Sequence, residues 1–382
     1  MNNLPKKIVY CTPALYMTGG VERVLTLKAN YFADYFGYDI TIILTEGKGK
    51  PLAYPLSDNI NVVNLDINFE ELWSYGFLKK VFVYLKKQRV YKRKLTKVLM
   101  QIRPNITVSL LRREINFITE IKDGSKKIGE LHVNRANYRN FEADNTNWLK
   151  EQFSKFWMSR LVCHLKQLDR FVVLTEEDKA AWPELSNVIA IPNPLSFSPQ
   201  TISPLTNKRV IAVGRYVYQK GFDMLLHAWK IVEEKCPEWH LDIYGDGNRT
   251  PYDEMVDALE IDRNRCHLNG VTNNIQMEYA NSSVFVVSSR FEGLSMAMLE
   301  AISYGLPLVA FACPCGPRDV VLDGENGYLV ENGNVSQLAD KLISIMQDPE
   351  TRKFMSIKAK EKSERYKIEH LACKWQNLFD SL

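Results

Sequence analysis

The sequence contains no run of about 18 apolar residues, which excludes a helix that spans a membrane. It also lacks the paired Cys-x-x-Cys spacing of a zinc or thioredoxin-like site, because its seven cysteines are scattered and Cys313-Pro314-Cys315 is the one close pair. No small-residue cleavage site follows the short apolar run at 8–17. We therefore expect free thiols in a reducing cytoplasm and a first strand that is buried.

Length and composition describe a globular chain that is large enough for two domains. Its 382 residues are 46% hydrophobic and 25% charged, which suits packed cores and excludes a wholly disordered chain. The net charge of +4 hides an asymmetry: residues 1–195 carry 29 basic and 20 acidic side chains, whereas residues 196–382 carry 20 and 25. The small average charge argues against a dedicated nucleic-acid-binding protein.

Two stretches repeat one order of elements: an apolar strand, a loop with glycine, a helix and a second strand. They cover 8–11, 19–20, 21–36 and 40–44 in the first stretch, and 210–213, 214–221, a helix to about 235 and 241–244 in the second. Further predicted strands lie at 62–63, 107–111, 127–131, 171–174, 266–268, 284–287, 307–311 and 327–330. The alternation of strands and helices predicts parallel sheets covered on both faces.

A proline-rich segment at 191–204 separates the two stretches, because proline disfavours both helix and central strand. We predict an α/β protein with two Rossmann-like, doubly wound domains, 1–195 and 196–365, that face each other across a cleft. A last helix at 366–382 is expected to pack back on the first domain. Such domains bind ligands at the carboxyl ends of their strands, so the cleft is the predicted site.

The loop at 214–221 reads Gly-Arg-Tyr-Val-Tyr-Gln-Lys-Gly between a strand and a helix. It places Arg215 and Lys220 beside backbone N–H groups at the positive end of that helix, which suits a diphosphate. It is not a Walker A loop, since no Gly-Lys-Ser/Thr follows. The alternative interpretation is two solvated charges at a helix start.

Glu292 and Glu300 follow the predicted strand at 284–287. Ser295 is predicted to cap a helix that ends near Gly305. Glu292 then lies in the loop above the sheet. Glu300 lies about two turns into an apolar helix, where a carboxylate needs a partner such as a ribose diol. The alternative is two glutamates without a joint role.

The first domain offers two weaker candidates. Gly19-Gly20 permits close backbone approach at a helix N-terminus, which is again suited to an anion, although by itself it is only a turn. His132 ends the predicted strand at 127–131, at the edge where this fold class places its ligands. A lone histidine is more often structural than catalytic.

Together these features resemble the retaining glycosyltransferases of the GT-B fold, family GT4, over nearly the whole chain. The residues that carry the resemblance are the Glu292-x7-Glu300 pair, the loop from Gly214-Arg215 to Lys220-Gly221, Gly19-Gly20-Val21-Glu22, Ile191-Pro192-Asn193-Pro194 and the Asp-Gly-Glu-Asn-Gly-Tyr-Leu-Val run at 323–330.

The resemblance implies a nucleotide-sugar donor, with UDP as the expected nucleotide, held mainly by the second domain and without a metal or other cofactor. Arg215 and Lys220 would grip the diphosphate and neutralise charge as the leaving group departs. Glu300 would hold the ribose, and Gly20, beside Gly19, would approach the phosphates.

The resemblance also assigns groups to the transferred sugar. Glu292 and the backbone N–H groups of Gly293, Leu294 and Ser295 would meet its hydroxyls, and His132 would hydrogen-bond near the reacting carbon. The expected product is a cell-surface glycan, because the Cys-Pro-Cys-Gly-Pro-Arg-Asp run at 313–319 is similar to enzymes that build bacterial capsule or lipopolysaccharide. The alternatives are a nucleotide-sugar epimerase of the same fold and a non-catalytic nucleotide-sugar binding protein.

A basic stretch at 79–113 contains twelve Lys or Arg residues and no Asp or Glu. Apolar residues recur between the charges at roughly helical spacing, which is typical of an interfacial amphipathic helix. They are Phe77, Val81, Leu85, Tyr91, Leu95, Val98 and Ile102. We predict contact with the anionic inner face of the cytoplasmic membrane and a glycan or polyprenyl-linked acceptor; the alternative is a core helix with a solvated basic face.

Overall fold

The computed structural model describes residues 5–138, 148–199 and 201–382. It divides the chain into two compact units, one made of Met1–Pro194 with Ile368–Leu382 and the other of Leu195–Lys367. Each unit contains one parallel sheet between helices. The predicted α/β class with two doubly wound sheets is therefore confirmed.

The first unit is built on seven strands in the order β3-β2-β1-β4-β5-β6-β7. The strands are β1 (Lys7–Thr12), β2 (Asp39–Leu44), β3 (Ile60–Asn64), β4 (Ile106–Ser109), β5 (Lys126–Glu130), β6 (Arg170–Val173) and β7 (Val188–Ala190). Its helices are α1 (Gly20–Asp34), α2 (Phe77–Ile102), α3 (Trp148–Lys166) and α4 (Glu176–Ala180). Ile8 of β1 pairs with Ile40 on one side and Ile106 on the other, and all three are buried.

The second unit is built on six strands in the order β10-β9-β8-β11-β12-β13. The strands are β8 (Arg209–Val213), β9 (His240–Tyr244), β10 (Cys266–Asn269), β11 (Val284–Val287), β12 (Leu308–Phe311) and β13 (Gly327–Val330). The helices are α5 (Phe222–Lys235), α6 (Thr250–Ala258), α7 (Ile275–Ala280), α8 (Met296–Ser303), α9 (Pro317–Val320), α10 (Val335–Gln347) and α11 (Pro349–Ser363). The first strand β8 is central, so the loop that follows it lies in the middle of the sheet edge.

Strand limits differ from the predicted ones where the backbone turns. The predicted strand at 107–111 ends at Ser109, because Leu111 has a φ of 50°, which an extended strand cannot hold. The first predicted helix, 21–36, runs from Gly20 to Asp34, and Gly37 follows with a φ of 64°.

The basic stretch at 79–113 is not one amphipathic helix. Helix α2 ends at Ile102, and the chain then enters β4. Within the helix, Tyr91, Leu95 and Leu99 are buried in the core of the unit. Phe77 and Leu85 at its N-terminal end are exposed. The single apolar face predicted from the spacing is thus two faces, one packed in the core and one on the surface.

No helix in the described ranges is both long and apolar enough to cross a membrane.

The last helix of the chain, α12 (Ile368–Asp380), belongs to the first unit and packs on α1. Trp375 is buried, and its ring lies 5.5 Å from the tilted ring of Phe379, which in turn meets Phe32 of α1 edge-on. The Lys28 ammonium lies 4.3 Å from the centre of the Trp375 ring, which is a cation–π contact. Residues far apart in sequence therefore share one core.

This packing predicts that Trp375→Ala destabilises the first unit by about 3–5 kcal/mol, because a large cavity opens and a buried cation loses its aromatic partner. Hydrogen exchange of the β1 and α1 amides measures the free energy of opening. Lys374→Ala, an exposed position on the same helix, is the matched control. Equal exchange rates in the two variants would show that α12 does not support this core.

Candidate active site

The central feature of the second unit is the meeting of two loops. Strands β8 and β11 are neighbours in a parallel sheet, so the loops that leave their carboxyl ends start side by side. The Ser288 hydroxyl donates to the carbonyl oxygen of Lys220 at 2.9 Å, and the Arg290 N–H donates to that of Gln219 at 2.8 Å. The two sequence-predicted segments, 214–221 and 288–295, form one surface.

Lys220 and Glu292 form a partly buried ion pair on this surface. The ammonium nitrogen lies 2.6 Å from Oε1 of Glu292, and the side chains are 17% and 6% exposed. The Ser289 hydroxyl donates to the same oxygen at 2.6 Å. An ammonium has three N–H donors, so Lys220 can hold Glu292 and still donate to a phosphate. The structure brings these two predicted residues into direct contact.

Arg215 lies in the same loop but in a different environment. Its side chain is exposed and makes no hydrogen bond or ion pair with the residues that the structure describes. The stem of Lys220 passes over Gly214, where a Cβ would come within 2.9 Å of its Cδ and Cε atoms. The loop thus presents one buried, paired cation and one exposed cation.

Two further contacts fix the shape of the loop. The Arg290 guanidinium makes a two-pronged ion pair with Asp223 at 2.8 and 2.6 Å and stacks 3.9 Å from the centre of the Tyr218 ring. Gly221 has a φ of 61°, and a Cβ there would clash with the backbone carbonyl of Ser288. Glycine at 221 therefore allows the loop to lie directly against the end of β11.

Glu300 is buried in α8, as its apolar neighbours predicted, and the protein itself supplies a partner. The hydroxyl of Tyr279 donates to Oε2 of Glu300 at 3.1 Å. The partner that a buried carboxylate needs is thus supplied in part by α7, which places a phenol beside it. An acceptor oxygen that is already positioned by a phenol can still receive a ribose hydroxyl.

The segment Gly293–Leu294–Ser295 connects Glu292 to α8. Ser295 is the residue before the helix, as predicted, but its side chain makes no capping hydrogen bond. Gly316 has a φ of 67°, and a Cβ there would clash with the Gly293 carbonyl, so the loop after β12 packs closely on this segment. Ser295 therefore stands at the N-cap position, as predicted, but its side chain does not cap the helix.

The Cys313-Pro314-Cys315 segment lies beside the ion pair. Both cysteines are buried free thiols. Burial, and then the negative charge of Glu292, raise the pKa of the Cys313 thiol to about 12, against the opposing effect of Lys220. This thiol is therefore protonated near neutral pH and is a poor metal ligand in that state.

In the first unit, Gly19 and Gly20 lie at the start of α1. Gly19 precedes the helix and Gly20 is its first residue. The Glu22 carboxylate occupies the space that a Cβ on Gly19 would fill. This carboxylate is the far end of a flexible side chain and can move aside, so the contact does not by itself require glycine at 19.

His132 follows β5 and is held in a buried charged cluster. Its side chain is 6% exposed, and Nε2 lies 3.2 Å from Oε1 of Glu130. Lys28 of α1 forms an ion pair with the same carboxylate. Neither ring nitrogen of His132 makes a well-directed hydrogen bond to any residue that the structure describes. A buried imidazole in this state is suited to receive a ligand hydroxyl.

Burial acts to raise the pKa of the Glu130 carboxyl, but the charges of Lys28 and then of His132, with the hydrogen bond that Lys28 donates, outweigh burial and lower the pKa to about 2. Glu130 is therefore ionised at physiological pH. Sequence reasoning missed this cluster. The available signal was a lysine on the apolar face of α1, three residues after buried Leu25 and four before buried Phe32.

Sequence reasoning also missed Ser289, Arg290 and Tyr279. The first two lie directly after β11, where a polar pair at a strand end was visible. Tyr279 comes from a separate helix, and nothing in its local pattern links it to Glu300. The turn motif at 323–330 has a structural role just before β13. The buried Asn326 side chain accepts a hydrogen bond from the Leu322 N–H and donates one to the Val320 carbonyl oxygen.

Two doubly wound parallel sheets with loops that carry charged and glycine residues at their carboxyl edges are the architecture of the GT-B fold. The sequence model of the family "Glycosyl transferases group 1" matches residues 196–362. The second unit belongs to this family, and the protein is a glycosyltransferase.

Relatives and solved structures agree with this assignment. The chain is 29% identical over 379 residues to an uncharacterised glycosyltransferase of Haemophilus influenzae, covering 98% of this chain and 99% of the relative. It is 29% identical to the poly(ribitol-phosphate) alpha-N-acetylglucosaminyltransferase of Staphylococcus aureus over 262 residues, which are 67% of this chain and 51% of that protein. A variant of S. aureus TarM, solved with fondaparinux, alpha-GlcNAc-glycerol and UDP, superimposes with a TM-score of 0.76 at 18% identity, over 98% and 99% of the two chains.

The Lys28–Glu130–His132 cluster predicts a specific loss of stability in acid. A carboxyl whose pKa is about 2 when folded and near 4.5 when unfolded stabilises the fold above pH 4.5. That stabilisation, about 3 kcal/mol, is lost as the pH falls toward 2. The variant Lys28→Met/Glu130→Gln removes both charges and lacks this pH dependence.

The measurement is the free energy of opening of the first unit, by hydrogen exchange at pH 5 and pH 3, in the unsubstituted protein and the double variant. We expect the free energy of opening of the unsubstituted protein to fall more between pH 5 and pH 3 than that of the double variant does. Parallel pH profiles would contradict the assigned ionisation of Glu130.

Proposed function

We propose that the protein transfers a hexose or N-acetylhexosamine, with retention of configuration, from a UDP-sugar to a cell-surface glycan or lipid-linked acceptor. The observation that carries the proposal is the Lys220–Glu292 pair at the carboxyl edge of β8 and β11, with Arg215 exposed in the same loop. Two cations suit a diphosphate, and a carboxylate beside them suits the hydroxyls of a sugar.

Each residue then has a distinct task. Lys220 and Arg215 stabilise the negative charge that develops on the departing diphosphate, which requires no metal ion. Glu292, positioned by Ser289 and Lys220, accepts hydrogen bonds from the donor sugar. Glu300, positioned by Tyr279, accepts hydrogen bonds from the ribose. His132 offers its buried ring to the transferred sugar.

Relatives support the donor and the acceptor class. The solved TarM variant contains UDP and alpha-GlcNAc-glycerol, and the related S. aureus enzyme is named for N-acetylglucosamine transfer to poly(ribitol-phosphate). Amylovoran biosynthesis glycosyltransferase AmsD of Erwinia amylovora is 31% identical over 228 residues. We infer an acceptor of the same general kind, a polyol-phosphate or polysaccharide chain of the cell surface.

The donor site is tested with Lys220→Gln, which removes the charge but keeps a hydrogen-bond donor for Glu292. We expect the rate of UDP-sugar turnover, measured in EDTA by detection of both UDP and glycoside, to fall about 100- to 1,000-fold. Lys235→Gln, an exposed lysine at the end of α5, removes the same charge and is expected to leave the rate unchanged.

Glu292→Gln is expected to lower the rate of UDP-sugar turnover by a similar factor. Glu234→Gln, at an exposed position, removes the same charge and is expected to leave the rate unchanged. Full turnover by Lys220→Gln or Glu292→Gln would contradict the assigned roles. Release of an epimerised nucleotide sugar, without glycoside, would favour the epimerase alternative. Turnover that stops in EDTA would contradict the metal-independent mechanism.

We further propose that the exposed end of α2 contacts an anionic membrane surface. Phe77, Leu78 and Phe82 are 79%, 82% and 72% exposed, and Trp73 in the preceding turn is 79% exposed. Apolar side chains this close together are unusual on a protein surface that faces only water. Three lysines lie among them, at positions 79, 80 and 86. The combination of aromatic and basic residues suits an interface with anionic lipid.

Membrane contact predicts that Phe77→Ser/Leu78→Ser/Phe82→Ser lowers affinity for phosphatidylglycerol vesicles more than tenfold, since each buried apolar side chain contributes about 1.5–3 kcal/mol. Lys79→Gln/Lys80→Gln/Lys86→Gln is expected to weaken binding at low salt, by about 1 kcal/mol per charge. Phe354→Ser/Ile357→Ser, two exposed apolar positions of the second unit, is the control. Unchanged vesicle binding by the Phe77 triple variant would refute membrane contact.

A further inference from the structure

A cavity of about 340 Å³ lies in the first unit between α2, α3 and the loop after β4. Its size is at the lower end of the range for small-molecule sites. None of the sequence-predicted site residues lines it. The cavity is therefore separate from the residues assigned above to the donor.

Four basic residues line the cavity. Arg89 and Lys92 reach it from α2, and Arg160 and His164 reach it from α3. Lys92 forms an ion pair with Glu120, whereas neither Arg89 nor Arg160 makes an ion pair with any residue in the described ranges. Burial, and then the charge of Arg160, lower the pKa of His164. Two guanidinium groups that have no carboxylate partner among the described residues suit a phosphate, which they can bind through paired hydrogen bonds.

The remaining wall is largely apolar, with polar groups from Tyr84, Gln88 and Asn116. Phe117, Trp157 and Leu161 line the cavity, and so does Leu85, which is also part of the exposed apolar end of α2. The side-chain amide oxygen of Gln88, Oε1, is buried and has no hydrogen-bond partner within the part of the chain that the structure describes. A buried acceptor without a partner is costly, so a ligand hydroxyl, including the P–OH of a phosphate monoester, would stabilise it.

We propose that this cavity binds the phosphate group of an amphipathic phosphate ester, with the guanidinium groups of Arg89 and Arg160 on the phosphate and the apolar part of the ligand along Leu85 toward the exposed end of α2. The ligand class is a phosphate carried on a hydrocarbon chain. The assignment of this ligand as the acceptor, or the carrier of the acceptor, rests on the proposed function; the binding itself does not.

The test is calorimetric titration of the full-length protein with octyl phosphate below its micelle concentration, with inorganic phosphate and with octanol. Octyl phosphate is expected to bind at least about tenfold more tightly than either of the other two, because only it engages both walls of the cavity. Binding of inorganic phosphate with equal affinity would overturn the amphipathic ligand. Binding of octanol with equal affinity would overturn the phosphate site.

Matched double variants locate the site. Arg89→Gln/Arg160→Gln is expected to weaken octyl phosphate binding at least about tenfold, since each lost charge-assisted hydrogen bond contributes about 1.5–3 kcal/mol. Arg93→Gln/Lys166→Gln removes two charges from exposed positions of the same two helices that do not line the cavity, and is expected to bind as the unsubstituted protein does. Equal weakening in both variants would show general charge attraction and refute the site.

UDP binding by the same variants separates this proposal from the proposed function. We expect both double variants to bind UDP normally, because Arg215, Lys220 and Glu300, the side chains proposed to bind its diphosphate and ribose, lie in the second unit. Loss of octyl phosphate binding with intact UDP binding supports the cavity as a distinct site. Failure of every form of the protein to bind UDP would overturn the proposed donor and leave the cavity result valid.

Discussion

The structure of the second unit depends on one electrostatic constraint, the pairing of Lys220 with Glu292. A carboxylate that is nearly removed from water is stable only with a cation and hydrogen-bond donors beside it, and here Lys220 and Ser289 supply them. The pairing requires the loops after β8 and β11 to lie in contact. Gly221 permits that contact at the end of β11, and the Arg290–Asp223 pair maintains it.

The first unit uses the same solution in another place. Glu130 at the end of β5 is buried and ionised, with Lys28 on one side and His132 on the other. Lys28 in turn lies over Trp375, so the last helix of the chain contributes to the support of the cluster. His132 is thereby fixed at a strand end, and its ring nitrogens make no directed hydrogen bond within the part of the chain that the structure describes.

The architecture of two parallel sheets could be predicted from the sequence because the patterns that indicate it are local. Apolar strands such as 8–11 and 284–287, each followed by a loop with polar or glycine residues, predict a parallel sheet and its ligand edge. The same logic located Lys220, Glu292 and His132 at that edge. It could not show that Lys220 and Glu292 contact each other, because this depends on the adjacency of β8 and β11, which are some seventy residues apart.

Contacts between side chains on elements that are far apart in sequence could not be predicted, for the same reason. Tyr279 reaches Glu300 from another helix, and Lys28 reaches Glu130 across 102 positions of sequence. Which face of a helix is buried could not be predicted for a different reason. The spacing of apolar residues in α2 is periodic, but only the packing shows that Tyr91 is buried and Phe77 exposed. Periodicity identifies a helix, whereas burial depends on what the rest of the chain places against it.

The most direct measurement of the central claim is a crystal structure of the protein with bound UDP. We expect the pyrophosphate to lie at the carboxyl edge of β8 and β11, with its oxygens within hydrogen-bond distance of the Lys220 ammonium and the Arg215 guanidinium. A structure in which UDP binds elsewhere, or in which its pyrophosphate contacts neither cation, would contradict the roles proposed for these two residues.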